Sequence, residues 1–522
     1  MPAPKVITSV EDQSTRVNAN GTVNVGIVIA AKKGPINKPQ LITGQTAFLR
    51  KFTPNERLEI GWDIAYYEAY EYLKTQSNLY VVRAANSDVK YGGCTIKLAE
   101  SANAGLPLEE GFDSPDTFEF AEDDALLIYG TDPGAYNNDL SVIIVTDEEE
   151  VKLKGAFLVK VYKNAVLVET HVCSLDPALK NGYGVNCFVE TVLNSSLYVK
   201  AMVNPLVEPN SLPKAELNRV QLNGGDDGTA VTDAERIVAL QTLGNVNDIP
   251  LQLIMDGGNT TKAYASAILS VCQSREDSCH GIISTRYEDE MNIDAISAIK
   301  AYRKETLGID SESMELYTPH QELYDEFNDR YIYVSPSCYV AAQVAKYAQS
   351  IGWHWAVAGY NRGIINSVGV AKSFAPEEVD ALSDNQVNTI IKDPGTGNVI
   401  FDELTMKSVA CDLQDCHISR YINIYLRPAL KTALKAFLFE FNDETTRAAV
   451  VKMLDVFMQP QKSGRAVYDY RIVCSEENND AVVIQNNELN VWLYIKPTKI
   501  SKFINQKIII SPYSVNLESI EI

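Results

Sequence analysis

The sequence predicts a multidomain α/β protein that carries a β-rich insertion, and three observations lead to this prediction. Strand-like and helix-like segments alternate on both sides of a middle stretch, a pattern typical of a doubly wound α/β domain with a largely parallel sheet. The middle stretch, residues 90–222, shows short β-type runs and turn signals without a long helical pattern. The length of 522 residues suits three or so domains of about 150 residues each.

The α/β domain begins with a continuous apolar run at residues 25–30 (VGIVIA), which predicts a buried strand followed by a Gly-Pro turn. Aromatic and apolar residues at helical spacing predict a helix over 62–76, and LYVVR at 79–83 predicts the next strand. Beyond residue 228 the predicted order is helix 233–243, strand 250–255, helix 261–274, strand 280–284, helix 293–304, strand 331–335 and helix 337–350.

The insertion is predicted from β-type runs that are separated by Asp-Pro-Gly, Asn-Asn and Lys-Asn turn signals. These runs lie at 125–129, 140–145, 157–162 and 165–170. Because strands 25–30 and 79–83 are assigned to the α/β domain, residues 90–222 interrupt that domain.

A third unit of α+β type is predicted from residue 366 onward. One helix begins at Arg427-Pro428, and a second is capped by Asn442 or Asp443 and ended by Pro460 and Gly464. Strand-like runs follow at 466–474, 488–495 and 508–511. The predicted division is an extended N-terminal arm (1–24), a discontinuous α/β middle domain (25–89 and 223–365), the β-rich outer domain (90–222), an α+β inner domain (366–505) and a C-terminal arm (506–522).

Composition and charge exclude several classes of protein. The net charge is −22, so a general nucleic-acid-binding surface is not expected. No apolar run is long enough to span a bilayer, and the first residues lack the apolar stretch of a signal peptide. The nine Cys are scattered without a CxxC pair, which indicates reduced thiols.

The acidity is concentrated in residues 101–150, which contain 14 Asp or Glu and no Lys or Arg. We expect this segment to face solvent, where water and salt screen the charge. Calcium binding is the alternative, but the DxDxDG pattern of a calcium loop does not occur.

The search for catalytic chemistry yields little. Asp256-Gly257-Gly258 follows a predicted strand at the edge where doubly wound sheets bind ligands, but it is interpreted as a plain tight turn. Gly395-Thr396-Gly397 is also interpreted as a turn. No Walker, GxGxxG, GxSxG or HExxH motif is present, so neither a metal nor a cofactor is expected. A soluble α/β enzyme stays open as an alternative that would need a pocket near Asp256 or Gly395.

Two features point instead to assembly. Both chain ends are extended and β-rich, as expected of arms that add strands to another subunit; frayed tails are the alternative. Arg427, Lys431 and Lys435 recur every four residues on a helix predicted over 427–441 and form a basic stripe, either a solvated face or a surface for an acidic partner. The other side of this predicted helix is apolar and carries Leu430, Leu434, Phe437 and Leu438. The candidate arm residues for contacts between subunits are Val6, Ile7, Val10, Ile508, Ile509 and Ile510.

Several segments, in order along the chain, resemble the contractile tail sheath proteins of bacteriophages. They are GIVIAAKKGPINKPQLIT (26–43), LYVVR (79–83), DPGAYNNDLS (132–141), AGYNRG (358–363), FEFNDETTR (439–447) and YIKPTK (494–499) followed by Phe503 and Ile504. Phe441 stands where the family usually has Pro, and Arg447 stands where an aromatic residue is common.

The resemblance implies a structural, non-enzymatic subunit that polymerises as stacked six-fold rings around an inner tube. Contraction would move the subunits outward largely as rigid bodies, with the arms as hinges, and would drive the tube through the host envelope without a nucleotide. The implied partners are other copies of the chain, the tail tube protein, and the baseplate and tail terminator proteins, with no nucleic acid and no membrane insertion. The implied location is the virion tail, assembled in the cytoplasm of the host bacterium.

The resemblance places the C-terminal unit inside, against the tube, and the inserted domain outside. One of two basic sets is therefore expected to face the tube: Arg427, Lys431 and Lys435, or Lys496, Lys499 and Lys502. A sheath from a non-phage contractile injection system, such as a tailocin, would share these features.

Overall fold

A computed structural model describes residues 21–216, 218–506 and 508. The chain divides into two compact units, the first ending at Ala429 and the second beginning at Leu430. Its strands are β1 (Val25–Ile29), β2 (Gln40–Ile42), β3 (Leu79–Arg83), β4 (Gly93–Lys97), β5 (Leu106–Pro107), β6 (Asp124–Gly130), β7 (Leu140–Val145), β8 (Phe157–Lys163), β9 (Val166–Cys173), β10 (Val199–Val203), β11 (Val220–Gln221), β12 (Leu253–Met255), β13 (His280–Ser284), β14 (Met314–Thr318), β15 (Gln321–Asp325), β16 (Arg330–Val334), β17 (Ile364–Ile365), β18 (Gly369–Val370), β19 (Asn388–Asp393), β20 (Gly397–Ile400), β21 (Val467–Val473) and β22 (Trp492–Pro497).

The helices alternate with these strands outside the stretch from β4 to β11. They are α1 (Gln45–Phe52), α2 (Ile64–Thr75), α3 (Glu148–Val151), α4 (Val189–Leu193), α5 (Asp233–Gln241), α6 (Lys262–Ser274), α7 (Tyr287–Glu290), α8 (Ala295–Ala301), α9 (Ser337–Ser350), α10 (Pro376–Ser383), α11 (Cys416–Arg420), α12 (Arg427–Leu434), α13 (Glu444–Ser463) and α14 (Ala481–Gln485). The prediction of a mixed α/β protein with several sheets is therefore confirmed.

The first unit is built on a nine-stranded sheet in the order β17-β20-β19-β14-β13-β12-β1-β3-β2. The six strands from β19 to β3 run parallel, and β2, β20 and β17 add antiparallel pairings at the two edges. Every residue of β1 is buried, as expected of a parallel strand that is covered on both faces. At Gly26 in β1, a Cβ atom would lie 2.9 Å from Leu243, so glycine lets a helical layer approach the strand closely.

Two apolar cores lie on opposite faces of this sheet. Ile27 and Ile29 of β1 contribute to the core that includes residues of α1, α2 and α9, whereas Val28 points into the core that includes residues of α5, α6 and α8. This alternation follows from the two-residue period of a strand.

Residues 93–221 form two four-stranded antiparallel sheets, ordered β10-β6-β4-β5 and β11-β7-β8-β9. Their inner faces share one core, to which Ile96 and Ile128 contribute from the first sheet and Val142 and Val159 from the second. Ten of the 14 acidic residues in segment 101–150 are exposed, while Asp123 and Asp124 each lie 2.8 Å from the Lys97 amine. The exposure of these ten residues agrees with the expectation that segment 101–150 faces solvent.

The structure differs from the sequence prediction at two strands of the first unit. The predicted strand at 331–335 corresponds to β16, which pairs antiparallel with β15 in a separate three-stranded sheet. Its place in the parallel sheet is taken by β14, which the sequence did not reveal because the buried Glu315 interrupts its apolar pattern.

The C-terminal region also divides differently from the predicted boundary at residue 366. Strands β17, β19 and β20 lie in the large sheet, and β19 pairs parallel to β14. The contact boundary accordingly falls at Ala429, within α12, rather than at residue 366.

Glu315 is balanced by the Arg420 guanidinium, which lies at 2.7 Å from each of its carboxylate oxygens and 2.5 Å from the Glu403 carboxylate. The His280 ring lies 3.0 Å from Glu315, and all of these side chains are buried. Burial alone would raise the pKa of Glu315, but attraction and hydrogen bonds from Arg420 hold that pKa well below its usual range. The cluster therefore ties β13, β14 and α11 together.

We predict that Arg420→Met lowers the free energy of unfolding by about 3–5 kcal/mol, because it leaves buried carboxylates without their cation. Denaturant titration of the purified subunit measures this loss. Arg50→Met is the matched control, since Arg50 is exposed and its ion pair with Glu56 spans 3.6 Å; an equal loss in both variants would contradict the prediction.

A second buried polar cluster joins α2 to the carboxyl edge of the sheet. Asp256 accepts hydrogen bonds from the Ser284 N–H (2.7 Å) and the Ser335 hydroxyl (2.9 Å). Glu68 accepts from the Ser335 N–H (3.3 Å) and the Ser337 hydroxyl (2.9 Å). Burial, and then the neighbouring Asp256 charge, raises the pKa of Glu68 well above its usual value. Folding therefore favours a protonated Glu68.

We predict that Glu68→Gln stabilises the subunit relative to wild type increasingly as the pH rises. In the unfolded chain Glu68 loses its proton near pH 4.3, whereas the folded state keeps that proton to a higher pH. Between pH 4.3 and the folded-state pKa, the free energy of unfolding of the wild type therefore falls by up to about 1.4 kcal/mol per pH unit. Melting temperatures of both proteins from pH 4 to 8 test the prediction, with the exposed Glu122→Gln as the control. A pH-independent difference would contradict it.

The second unit contains α13, α14, the two-stranded sheet β21–β22 and a small core around Val450, Leu454 and Cys474. Asp443 caps α13 by accepting a hydrogen bond from the Thr446 N–H at 2.8 Å, as one of the two predicted caps. The helix continues past Pro460 to Ser463, and Gly464 follows it.

Candidate assembly surfaces

The second unit differs from the first in charge and in exposed apolar surface. Residues 430–522 carry eleven Lys or Arg and eleven Asp or Glu, so the net charge of −22 resides in residues 1–429. Of the 37 large apolar side chains that are exposed in the described residues, 13 lie between Leu438 and Ile508. A neutral unit with this much exposed apolar surface is suited to contact other proteins.

The β21–β22 sheet has open edges. The two strands pair antiparallel, with Asp469 opposite Lys496 and Ile472 opposite Leu493. In the described part of the chain neither strand pairs with a third, so the outer edge of each strand lacks a strand partner. Such edges accept added strands readily.

The two faces of this sheet have different characters. Ile472 packs with the small core of the second unit, and the Tyr470 hydroxyl donates a hydrogen bond to Asp455 of α13 at 2.6 Å. The opposite face exposes Trp492 and Tyr494. The sheet is therefore anchored on one face while its edges and other face stay accessible.

The predicted basic stripe lies on one helix and the turn that follows it. Arg427 and Lys431 are exposed on α12, and Lys435 is exposed in a 3₁₀ turn that ends at Phe437. The helix is shorter than the predicted range of 427–441. Leu430, Leu434 and Phe437 pack near Val450 and Leu454, whereas Leu438, predicted on the same apolar side, is 65% exposed.

The other basic set follows the end of β22. The Lys496 amine lies 5.5 Å from the centre of the Tyr468 ring, and Lys499 and Lys502 are exposed in the segment beyond.

The arm candidates fall mostly outside the described residues. Val6, Ile7, Val10, Ile509 and Ile510 are not described, and Ile508 is 78% exposed. Their role in contacts between subunits stays a prediction.

The two positions considered for an enzyme are turns. Gly257 and Gly258 both have positive φ, and a Cβ on Gly258 would lie 2.3 Å from Ile64, so the turn is closely packed. The adjacent Asp256 carboxylate is buried among serines. Gly395–Gly397 connects β19 and β20 as a hairpin. In the described ranges we find neither a group of metal ligands nor a helix long and apolar enough to cross a membrane.

Sequence reasoning missed the exposed loop between α12 and α13. Phe439 and Phe441 are almost fully exposed, and the Phe439 backbone is left-handed with φ 69°. The available signal was the aromatic run FLFEF, which continues beyond the apolar period of the helix.

Residues 230–406 match the family model described as the central domain of phage tail sheath proteins. The chain is 27% identical over 363 residues to the tail sheath protein of Vibrio phage KVP40, which covers 64% of this chain and 52% of that protein. It is 24% identical over 369 residues to the tail sheath protein of Enterobacteria phage T4, with 67% and 55% covered. The chain thus spans about half the length of the curated relatives it matches.

Solved structures share the fold over nearly the whole chain. A sheath tail protein from Listeria innocua aligns with a TM-score of 0.58 and 14% identity, covering 92% of this chain and 96% of that one. The contracted helical sheath of the anti-feeding prophage aligns with a TM-score of 0.54 and 12% identity, covering 98% and 100%. The chain is thus similar to phage tail sheath proteins in sequence over its central part, and it shares the fold of solved sheath proteins over nearly its whole length.

Proposed function

We propose that this chain is the structural subunit of a phage contractile tail sheath. It polymerises with other copies as stacked six-fold rings around a tail tube, and contraction of the sheath drives the tube through the host envelope. The observation that carries the proposal is the open-edged β21–β22 sheet in the neutral second unit, with its many exposed apolar side chains, of a chain similar to phage tail sheath proteins.

Strand addition would join the copies. Each edge of β21–β22 offers backbone N–H and C=O groups in a row, and a donated strand from a neighbour pairs with them. The N- and C-terminal arms of neighbouring copies are the donors, through Val6, Ile7 and Val10 and through Ile508, Ile509 and Ile510. A link of this kind can bend while its hydrogen bonds persist, so it keeps the lattice joined when the folded units move.

The partners follow from the same role. They are further copies of the chain, the tail tube protein, and the baseplate and tail terminator proteins. The subunit assembles in the cytoplasm of the host bacterium and resides in the virion tail. The energy for contraction is stored in the assembled lattice, so no cofactor takes part.

Electrostatics would orient the subunit on the tube. By resemblance to sheath proteins, the inserted domain (90–222), which holds the acidic segment 101–150, would face outward, and the C-terminal domain, which carries the two basic sets, would face the tube. One of the two basic sets, Arg427, Lys431 and Lys435 or Lys496, Lys499 and Lys502, then meets an acidic tube surface.

A sheath of a non-phage contractile injection system is the second candidate. This candidate is supported by the similarity in fold to the contracted helical sheath of the anti-feeding prophage. Capsid and terminase genes beside the gene for this chain identify a phage, and their absence identifies the alternative.

We predict that Val6→Pro, Ile7→Pro and Val10→Pro together abolish sheath formation, because proline cannot donate a backbone hydrogen bond to a neighbouring strand. The control variant carries threonine at the same three positions, which keeps the β propensity of the arm. This variant should assemble better than the proline variant. Negative-stain electron microscopy and sedimentation measure the polymer, and the melting temperature checks the fold. Full polymerisation of the proline variant would contradict strand exchange by the N-terminal arm.

We predict that reversing the charge of one basic set impairs assembly on tubes of the same phage. One triple variant is Arg427→Glu, Lys431→Glu and Lys435→Glu. The other is Lys496→Glu, Lys499→Glu and Lys502→Glu. The two triple variants change the charge equally, so each controls for the other. Co-sedimentation with tubes measures the loss of binding to the tube. It is carried out at 50 and 300 mM salt, between which the screening length changes about twofold. Normal binding by a variant removes its set from candidacy, and normal binding by both contradicts the electrostatic placement.

A further inference from the structure

A small cleft in the first unit combines aromatic walls with carboxylates. It is lined by residues of α2, of β15 and the turn after it, and of 366–368, and its volume is about 110 Å³. The aromatic walls are Tyr67, Tyr70, Tyr324 and Phe327. Sites for whole small molecules usually enclose roughly 300–1,000 Å³, so this cleft is suited to a group of the size of one side chain.

Glu71 places an incompletely compensated carboxylate in the cleft. Its side chain is 6% exposed, and in the described residues its one hydrogen-bond partner is the Lys74 amine, which lies 3.4 Å from Oε2. The Lys74 side chain is 59% exposed, so this pair contributes little. Burial raises the pKa of Glu71; attraction to Lys74 only partly opposes this rise, and the Glu326 charge adds to it. The Oε1 atom of Glu71 is therefore available to a further donor.

The other two carboxylates of the cleft differ in how they are compensated. Asp325 is paired within the subunit, with the Arg330 guanidinium at 3.1 Å. Glu326 accepts a hydrogen bond from the Tyr70 hydroxyl at 2.7 Å, but it forms no ion pair with any residue that the structure describes. Glu71 and Glu326 therefore leave the cleft with an excess of negative charge.

The aromatic rings have supports of their own. The ring centres of Tyr70 and Phe327 lie 5.3 Å apart, with their planes at 65°. The Tyr324 side chain is 42% exposed, and its hydroxyl donates a hydrogen bond to Asp329 at 2.8 Å. The negative face of an aromatic ring attracts a cation, so rings beside carboxylates form a site for positive charge. Because these rings are already held in position, the entropy cost of binding is lower.

We propose that this cleft binds a guanidinium group. This planar cation stacks on aromatic rings, donates hydrogen bonds in a fork that matches a carboxylate, and is more weakly hydrated than an ammonium group. In the cleft it would contact the carboxylates of Glu71 and Glu326 and compensate the charge that Lys74 does not. Its source is either an arginine side chain of another protein chain or a free guanidinium compound. This site does not depend on the proposed function.

Isothermal titration calorimetry of the full chain with N-acetylarginine amide tests the proposal. N-acetylcitrulline amide, which has nearly the same shape without the charge, is the matched ligand. We expect the arginine derivative to bind at least tenfold more tightly than the citrulline derivative. Equal affinities for the two ligands, or no binding of the arginine derivative, would overturn the proposal.

Two substitutions locate the binding. Glu71→Gln keeps the shape of the side chain but removes its charge, and it should weaken binding of the arginine derivative at least tenfold. Tyr324→Leu removes an exposed ring and should weaken binding about two- to fivefold. Glu122→Gln, at an exposed carboxylate of the inserted domain, is the control and should leave the affinity unchanged. Unchanged affinity in both cleft variants, at a wild-type melting temperature, would place the binding elsewhere and overturn the proposal.

Photocross-linking distinguishes the two sources of the guanidinium group. p-Benzoylphenylalanine replaces Asn366, an exposed residue of the cleft, in cylinders assembled with and without the tube protein of the same phage. A link to an arginine-containing peptide of another copy or of the tube, reduced by excess N-acetylarginine amide, identifies a side-chain source. Binding of the amide without such a link identifies a free compound. If the chain forms no cylinders, the proposed function fails, while the calorimetry still decides the proposal.

Discussion

A two-stranded sheet leaves one edge of each strand without a strand partner, and in the described residues β21–β22 is such a sheet. The proposed strand addition between copies depends on these open edges. An isolated two-stranded sheet is marginal in water, and here α13 supports only one of its faces. The large sheet of the first unit, in contrast, is covered on both faces by helices and completes its own core. The same chain therefore combines a self-sufficient unit with one that gains most from added strands.

The distribution of charge and apolar surface reinforces this division. The first unit holds the entire net charge of −22, so copies repel one another across its surface unless other contacts compensate. The second unit is neutral and has a high share of the exposed apolar side chains. In the proposed sheath, attraction concentrated in one unit and repulsion spread over the other would store energy in the lattice, because separation of the copies relieves the repulsion.

Much of the fold could be predicted from the sequence, and the exceptions have physical causes. The run VGIVI gave β1 to within one residue because a strand buried on both faces needs an unbroken apolar stretch. Strand β14 was missed because Glu315 is the second of its five residues, and its burial is compensated by Arg420 and His280, which are distant in the sequence. The β16 strand was found, but its sheet was not, because its pairing with β15 depends on a hairpin that composition does not specify.

The candidate surfaces were predictable to a smaller degree. The basic stripe followed from helical spacing, and its three cations are exposed as expected. The exposed Phe439 did not follow, because aromatic residues next to a helix normally pack against it, and the apolar pattern does not reveal the left-handed backbone at this position. Open strand edges likewise emerge only when the pairing of every described strand is known.

Cryo-electron microscopy of assembled cylinders, at a resolution that traces the backbone, tests the central claim most directly. We predict that β21 and β22 lie inside a larger sheet whose outer strands come from neighbouring copies. A β21–β22 sheet that stays two-stranded in a well-ordered cylinder, with its edges facing solvent, would contradict it.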